Sequence, residues 1–355
     1  MSNSIGKRFV IATFGESHGP AIGAIVDGCP SGIALDEAVI QKQMDRRRPG
    51  QSNLTTARVE ADKITILSGL RDGITLGTPI GMTLANTDCR PDDYEDVGKV
   101  ARPSHADYTY RVKYGEVAAS GGGRASARET ATRVAAGTVA DEFLKQRFGV
   151  DIIAWVSSIG DVDCPDVSEA ALTRSEVDAT PVRCPDMSAA EKMITLVENA
   201  AKMGDSVGGI VTCVCRNVPA GWGDPIFDKL NALLGRGLLS IPAVRGVEFG
   251  AGFSATRMRG SQHNDMFVLK GDRIGTVTNR SGGIQGGISN GEPIVVRVAF
   301  KPTASIATTQ ATVDYDGLPV TFQLQGRHDP CVLPRAVPVV EAMAAIVLAD
   351  LAVGM

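Results

Sequence analysis

No apolar run in the 355 residues reaches the roughly 18 needed to cross a bilayer. The longest, Val337 to Val353, is broken by Glu341 and Asp350. The N-terminal stretch Met-Ser-Asn-Ser-Ile-Gly-Lys-Arg has no apolar h-region, so it does not read as a secretory signal. The seven cysteines are odd in number and contain no C-x-x-C pair. That argues against a disulfide framework or a zinc finger and leads us to expect a reducing, cytoplasmic setting. No basic excess points to nucleic acid, because net charge is −4. No His/Cys/Asp/Glu set has metal-ligand spacing, and His263 and His328 each stand alone. Aromatic residues are sparse as well, at 5%.

Glycine is abundant instead. There are 40, against roughly 25 for a chain of this length at the usual frequency. They follow no three-residue period, which excludes collagen. With 43% apolar and 21% charged residues the chain can bury a large core and is not disordered. Among the cations, 25 are Arg and 11 are Lys. Arginine grips phosphate and carboxylate through two parallel bonds. A GC-rich genome also raises arginine everywhere, so the positions must decide.

Strands are expected at Phe9–Phe14, Ile22–Val26, Ile64–Leu67, Ile80–Leu84, Ile210–Cys215, Val247–Phe249 and Ile294–Phe300, rich in β-branched residues and bounded by turn formers. Cys213 and Cys215 read as small core residues on one of them. Helices are expected at Leu35–Arg48, from a Ser126/Glu129 capping box to Gly149, and from a Ser188/Glu191 box to about Met203. Ile226–Leu239 and Pro338–Ala352 come next, the latter with proline at its first position. Asn86–Arg124 is polar, turn-rich and longer than an ordinary connection, yet holds four of the five tyrosines. An internal echo pairs Gly23–Val26 with Gly208–Val211, and Gly77–Ile80 with Gly291–Ile294. Either it marks two similar βαβ-type halves, about 1–150 and 188–355, or it is chance among turn residues. No linker separates the halves, so we expect one composite domain over 1–355.

Six constellations can carry chemistry. Gly15-Glu16-Ser17-His18-Gly19 fits the G-x-S-x-G nucleophile elbow of serine hydrolases. An elbow needs a helix after the serine, whereas residues 20–28 read as a strand, so His18 is better read as a polar side chain at a strand end. Asp45-Arg46-Arg47-Arg48-Pro49-Gly50 closes a helix with three cations. The helix dipole accounts for one or two of them, and an anion site for all three. Arg102-Pro103-Ser104-His105-Ala106-Asp107 puts a histidine between opposite charges, where its titration can be tuned. Gly121-Gly122-Gly123-Arg124-Ala125-Ser126 before a helix makes an anion site or a plain flexible loop, and is not a Walker A loop. The Gly-rich run Ser281–Gly291, with Lys301-Pro302-Thr303-Ala304-Ser305 after it, allows close backbone approach to a flat or anionic ligand. Gly326-Arg327-His328-Asp329-Pro330 aims a carboxylate, because the residue before proline is held extended. Together they describe a binder of phosphate- or carboxylate-rich small molecules with proton-transfer groups at hand, and they name no reaction.

In these motifs the chain resembles the chorismate synthase family over nearly its whole length. The carriers are Gly-Glu-Ser-His-Gly, Asp-Arg-Arg-Arg-Pro-Gly, Arg-Pro-Ser-His-Ala-Asp, Gly-Gly-Arg-Ala-Ser-Ala-Arg-Glu-Thr, Gly-Gly-Ile-Gln-Gly-Gly-Ile-Ser-Asn-Gly, Lys-Pro-Thr and Gly-Arg-His-Asp-Pro. The resemblance implies an α+β fold with helices packed between antiparallel sheets and two similar halves. It implies a lyase performing 1,4-anti elimination of phosphate from 5-enolpyruvylshikimate 3-phosphate, giving chorismate, the last step of the shikimate pathway to aromatic amino acids. It also implies a requirement for reduced FMN with no net redox change. His18 resembles the histidine that protonates the departing phosphate, His105 the one beside the flavin, and Asp329 the carboxylate at the flavin N5. Arg47, Arg48, Arg102 and Arg327 would hold the substrate anions. Arg124, Ala125, Ser126, Ala243, Gly286, Lys301, Pro302, Thr303, Ala304, Ser305 and Arg327 would hold FMN. The Asn86–Arg124 loop would close over the site.

Two positions depart from the family. Asn53 stands where an arginine is common, which puts part of the anion clamp or an NADPH contact in question. Pro242 replaces the Asn of Ser-Ile-Asn-Ala and removes both a side-chain amide and a backbone donor. The resemblance further implies a homotetramer and an external reductase as the source of reduced FMN, with no nucleic-acid or membrane partner. A serine hydrolase and a non-catalytic flavin carrier remain the rival readings.

Overall fold

The computed structural model describes residues 3–52, 54–55, 60–87, 97–115, 122–324 and 329–354. Two five-stranded antiparallel sheets sandwich a layer of helices. The first sheet holds β1 (Ser4–Ile5), β2 (Val10–Gly15), β3 (Ala21–Asp27), β4 (Ile64–Ile66) and β5 (Ile80–Ala85), in the order β1-β2-β3-β5-β4. The second holds β6 (Asp151–Ile159), β7 (Val162–Asp163), β8 (Gly209–Arg216), β9 (Val244–Phe249) and β10 (Ile294–Phe300), in the order β9-β10-β8-β6-β7. The helices are α1 (Glu37–Arg47), α2 (Asp107–Tyr114), α3 (Thr130–Phe148), α4 (Arg174–Asp178), α5 (Met187–Lys202), α6 (Leu230–Leu239) and α7 (Leu333–Ala352).

Both sheets are wound alike. β2-β3-α1-β4-β5-α3 is followed by β6-β8-α6-β9-β10-α7, with the same neighbours in each sheet. The echoed segments fall on β3 and β8, the second strand of each series, and lead into β5 and β10, the fourth. The second series starts at β6, so the repeat unit in the topology begins near residue 151 rather than 188. β6 is not among the strands read from the sequence. Its continuous buried run, Ile152–Val156, shows no period-two alternation because both faces are covered.

α3 and α7 cross at the centre, and α7 is buried along almost its whole length. A Cβ on Gly137 would lie 2.3 Å from Cβ of Ala342, so glycine sets how closely the two helices approach. Four helix boundaries differ from expectation. Asp186, not Ser188, caps α5 by accepting from Ala189 N at 2.7 Å. Ser126 caps a 3-10 turn at Ala127–Glu129, while Glu129 turns to Thr13 and Arg133 instead of closing a capping box. α6 begins at Leu230. α7 begins at Leu333 with Pro334 in its first turn, leaving Pro338 inside the helix. The polar stretch 86–124 is not all loop, since it carries α2, and its residues 88–96 and 116–121 lie outside the described ones.

Candidate active site

A cavity of about 750 Å³ opens where the ends of the two series meet. Its wall comes from the 102–106 loop, the turn 122–130, the segments 240–245 and 300–305, Asp329 and the first turn of α7. Among the described residues the wall holds Arg47, Arg102, Arg124, Arg133, Arg245, Lys301 and Arg335 against the carboxylates Glu129 and Asp329. Counting Asp62 and Asp107, which pair with Arg47 and Arg102 without lining the wall, seven cations still outnumber four carboxylates and leave the hollow net positive in a chain of net charge −4. Such a field concentrates anionic ligands, and the volume suits a cofactor with a substrate.

The three arginines closing α1 separate because successive helical residues point about 100° apart. Arg46 turns inward to Glu341 on α7 and to Asp178, 2.5 and 2.8 Å away. Arg47 reaches the cavity and pairs with Asp62 Oδ2 at 2.5 Å. Arg48 is exposed, caps α1 through its N–H, and lies 4.0 Å from Asp45. Asp62 has no exposed side-chain surface and is also paired with Arg128. Burial works to raise its pKa, but the two guanidiniums outweigh that and hold the carboxyl below its usual range. Burial, helped by Arg335 and Arg128, brings Arg47 down to about 10 against the pull of Asp62.

The second cluster is Arg102-His105-Asp107. Arg102 makes a two-pronged pair with Asp107, Nε to Oδ2 at 2.5 Å and Nη2 to Oδ1 at 2.7 Å. His105 Nδ1 lies 2.6 Å from Asp107 Oδ1 and 2.9 Å from Arg102 Nη2, so Nε2 is uncommitted within the cluster. Burial opposes ionisation of Asp107, yet hydrogen bonds from Arg102 and His105 bring its pKa down to about 2. Arg102 Nη1 donates across the cavity to Ser305 Oγ at 3.3 Å.

The turn Gly123–Ala125 presents Arg124, whose guanidinium donates to Thr13 Oγ1 at 2.7 Å and Gly15 O at 3.1 Å. Arg133 donates to both Glu129 oxygens and, at 2.7 Å, to Ser240 Oγ, which pins the 240–243 segment. Ala243 holds φ +70, and its carbonyl accepts from Lys301 N at 2.9 Å. Pro242 precedes β9, whose register starts at Val244, so its missing N–H falls outside the ladder. Burial, then the nearby Arg245, lowers the Lys301 pKa. Asp329 is paired with Arg335 Nη1 at 2.5 Å.

The cavity wall thus gathers Arg47, Arg102, His105, Arg124, Ala125, Ser126, Ala243, Lys301, Thr303, Ala304, Ser305 and Asp329, with Pro302 between two of them in the chain. His18, Arg48 and Gly286 do not line its described wall. Gly286 sits in the hairpin Ile284–Gln285/Ile288–Ser289, where an added Cβ would meet nothing within 4 Å. Arg327, His328 and Asn53 lie outside the described residues. His18 stands in the turn joining β2 to β3, its Nδ1 3.0 Å from Ser17 Oγ. β2 and β3 are an antiparallel pair, so Ser17 is not on a strand-to-helix elbow and the hydrolase geometry is not formed. Sequence reasoning missed Arg133, Arg245 and Arg335. Arg133 could have been found at i+4 from Glu129, and Arg335 beside Pro334 had the helix start been placed there.

A family model described as chorismate synthase matches residues 9–353. The chain belongs to the chorismate synthase family. It is 55% identical over 351 residues to the chorismate synthase of Synechococcus sp. (strain WH7803), covering 99% of this chain and 97% of that one. It is 54% identical over 352 residues to that of Prochlorococcus marinus subsp. pastoris, covering 99% and 96%. A solved structure titled as the crystal structure of chorismate synthase superposes with a TM-score of 0.78 at 32% identity, covering 98% of this chain and 92% of that one. Membership makes the chain an enzyme of the lyase class, and the α+β sandwich is the architecture the family resemblance implied. No helix among the described residues is long and apolar enough to cross a membrane.

Proposed function

We propose that the chain eliminates phosphate from 5-enolpyruvylshikimate 3-phosphate in a 1,4-anti sense to give chorismate, with reduced FMN bound in the cavity. The observation that carries this reading is the cavity wall, seven cations to two carboxylates with two proton-transfer side chains, His105 and Asp329. The substrate bears one phosphate and two carboxylates and needs such a field. The wall also fits a flavin nucleotide. The turn at 122–126 and the segment 301–305 offer backbone and small hydroxyl side chains, and Ala243 on the same wall carries only a methyl. Few aromatic walls are needed where backbone forms the cradle.

When bound, reduced FMN supplies electron density to a carbon skeleton whose C6 hydrogen is not acidic. The chain does the rest. Arg47 and Arg102, on the wall, would hold the substrate anions together with Arg327, which lies outside the described residues, whereas the exposed Arg48 is off the wall. Arg124, Ala125, Ser126, Ala243 and Lys301–Ser305, on or beside the wall, would hold the cofactor together with Arg327, whereas Gly286 sits in a hairpin off the wall. His105 and Asp329, on the wall, would hold and move protons beside the bound cofactor, and His18, in the turn joining β2 to β3, would protonate the departing phosphate. The described part of the 86–124 segment, at 102–110 and 122–124, forms part of the wall and helps to exclude water. Reduced FMN comes from an external reductase, with NADPH as a possible ultimate reductant, and the enzyme works as a cytoplasmic homotetramer in the shikimate pathway. The shared winding of the two sheets supports one composite unit of two similar halves.

The test is anaerobic phosphate release with reduced FMN and the enolpyruvyl substrate. Turnover that requires both is the expected result, and no release with either order of addition refutes the reading. A non-catalytic flavin carrier would instead bind FMN with an affinity that substrate does not tighten. A serine hydrolase would label at Ser17 with a fluorophosphonate.

A further inference from the structure

We infer that Arg335 is a positioning residue that fixes the Asp329 carboxylate and joins it to the arginine-bearing end of α1, an inference that rests on Asp329 taking part in the proposed reaction. Arg335 is the third residue of α7. A cation there faces the partial positive charge of the helix N-terminus and is unfavourable on its own. It is also largely buried, its side chain 12% exposed. Two bonds explain its presence. Nη1 donates to Asp329 Oδ2 at 2.5 Å, and Nε donates to the Arg47 carbonyl at 3.2 Å.

Asp329 is thereby held from both sides. Its carbonyl accepts from Thr303 Oγ1 at 3.0 Å, and Pro330 restricts its backbone. One planar guanidinium, with donors in a fixed fork, spans from the carboxylate to the last turn of α1. Arg47 on that turn lines the same cavity, so the residue that grips an anion and the residue that handles a proton share one rigid strut. Arg335 need touch neither substrate nor cofactor to set the distance between them. An ammonium at this position reaches one partner and not both.

The experiment is a double-mutant cycle on the full chain, anaerobically, with reduced FMN and the enolpyruvyl substrate. Arg335→Gln should lower kcat about tenfold or more while KM changes by less than about threefold, and Arg335→Lys should recover part of the loss. In an Asp329→Asn background, Arg335→Gln should change kcat by less than about twofold, because its effect passes through Asp329. Losses that multiply in the double variant, or a loss confined to melting temperature with parental kcat, overturn the inference. Parental kcat in Asp329→Asn alone overturns the role of Asp329 instead, which is a separate failure. If Arg335→Gln does not fold, Arg335→Lys replaces it in the cycle: a smaller kcat loss that disappears in the Asp329→Asn background supports the inference, and a loss that persists there overturns it.

Discussion

Asp62→Asn tests the buried charge cluster beneath the cavity most directly. The carboxylate has no exposed surface and stands between Arg47 and Arg128. Asn keeps the shape but cannot neutralise either guanidinium, and one of its two polar atoms donates where only donors face it. Removing one partner of a buried ion pair costs about 3–5 kcal/mol, because the remaining charge stays desolvated. A domain has only about 5–15 kcal/mol in total, so the variant should be marginal. The assay is urea denaturation at pH 7, followed by circular dichroism. pH gives a second handle. A carboxyl whose folded pKa lies below its unfolded value of about 3.9 stabilises fully above that value and loses its contribution as pH falls through the folded one. The stability gap between parent and Asp62→Asn should therefore stay constant from pH 8 to 5 and shrink below about pH 4. Sulfate should stabilise the variant more than the parent, since two guanidiniums are left without an anion. A variant within about 0.5 kcal/mol of the parent at pH 7, the range of an ordinary surface change, would refute the reasoning.

Gly137→Ala should destabilise by about 1–3 kcal/mol despite better helix propensity, because the new methyl meets Ala342 at 2.3 Å. Gly235→Ala on α6, where a Cβ meets nothing within 4 Å, should instead stabilise by up to about 1 kcal/mol, and denaturation midpoints compare the two. Asp107 should keep its interactions with Arg102 and His105 at any pH above about 3.8 and lose them as pH falls towards about 2; a carboxyl NMR signal for Asp107 that titrates above pH 4 would refute this. His18→Ala should lose phosphate elimination while flavin binding persists; normal turnover would remove His18 as the acid. Asp329→Asn should slow the single-turnover rate, and an unchanged rate would remove Asp329 from the mechanism.

Local chemistry was legible in the sequence. β-branched runs bounded by turn formers located β3, β8 and β10. Gly149 marked the end of α3, where the chain takes φ +69 and ordinary residues resist it. The motif segments 102–107, 122–126 and 301–305 supplied residues that the fold brings to one cavity wall. The sequence reading missed β6, an apolar run between Gly149 and Gly160 that is buried as continuously as β8, and the start of α7, where a run of apolar residues and two prolines hides the first turn.

The sequence by itself determined which side chains are available, the broad fold class, and the family to which the motifs belong. Tertiary structure alone decided their partners. Arg46, Arg47 and Arg48 are neighbours in the chain, yet one enters the core, one faces the cavity and one faces water. Arg102 meets Ser305 across 203 positions, and Arg335 meets the Arg47 carbonyl across 288. Such contacts arise because two sheets close on one helix layer and bring the ends of both halves to one hollow. Their energies depend on burial, which is a property of the closed sandwich and of no segment alone.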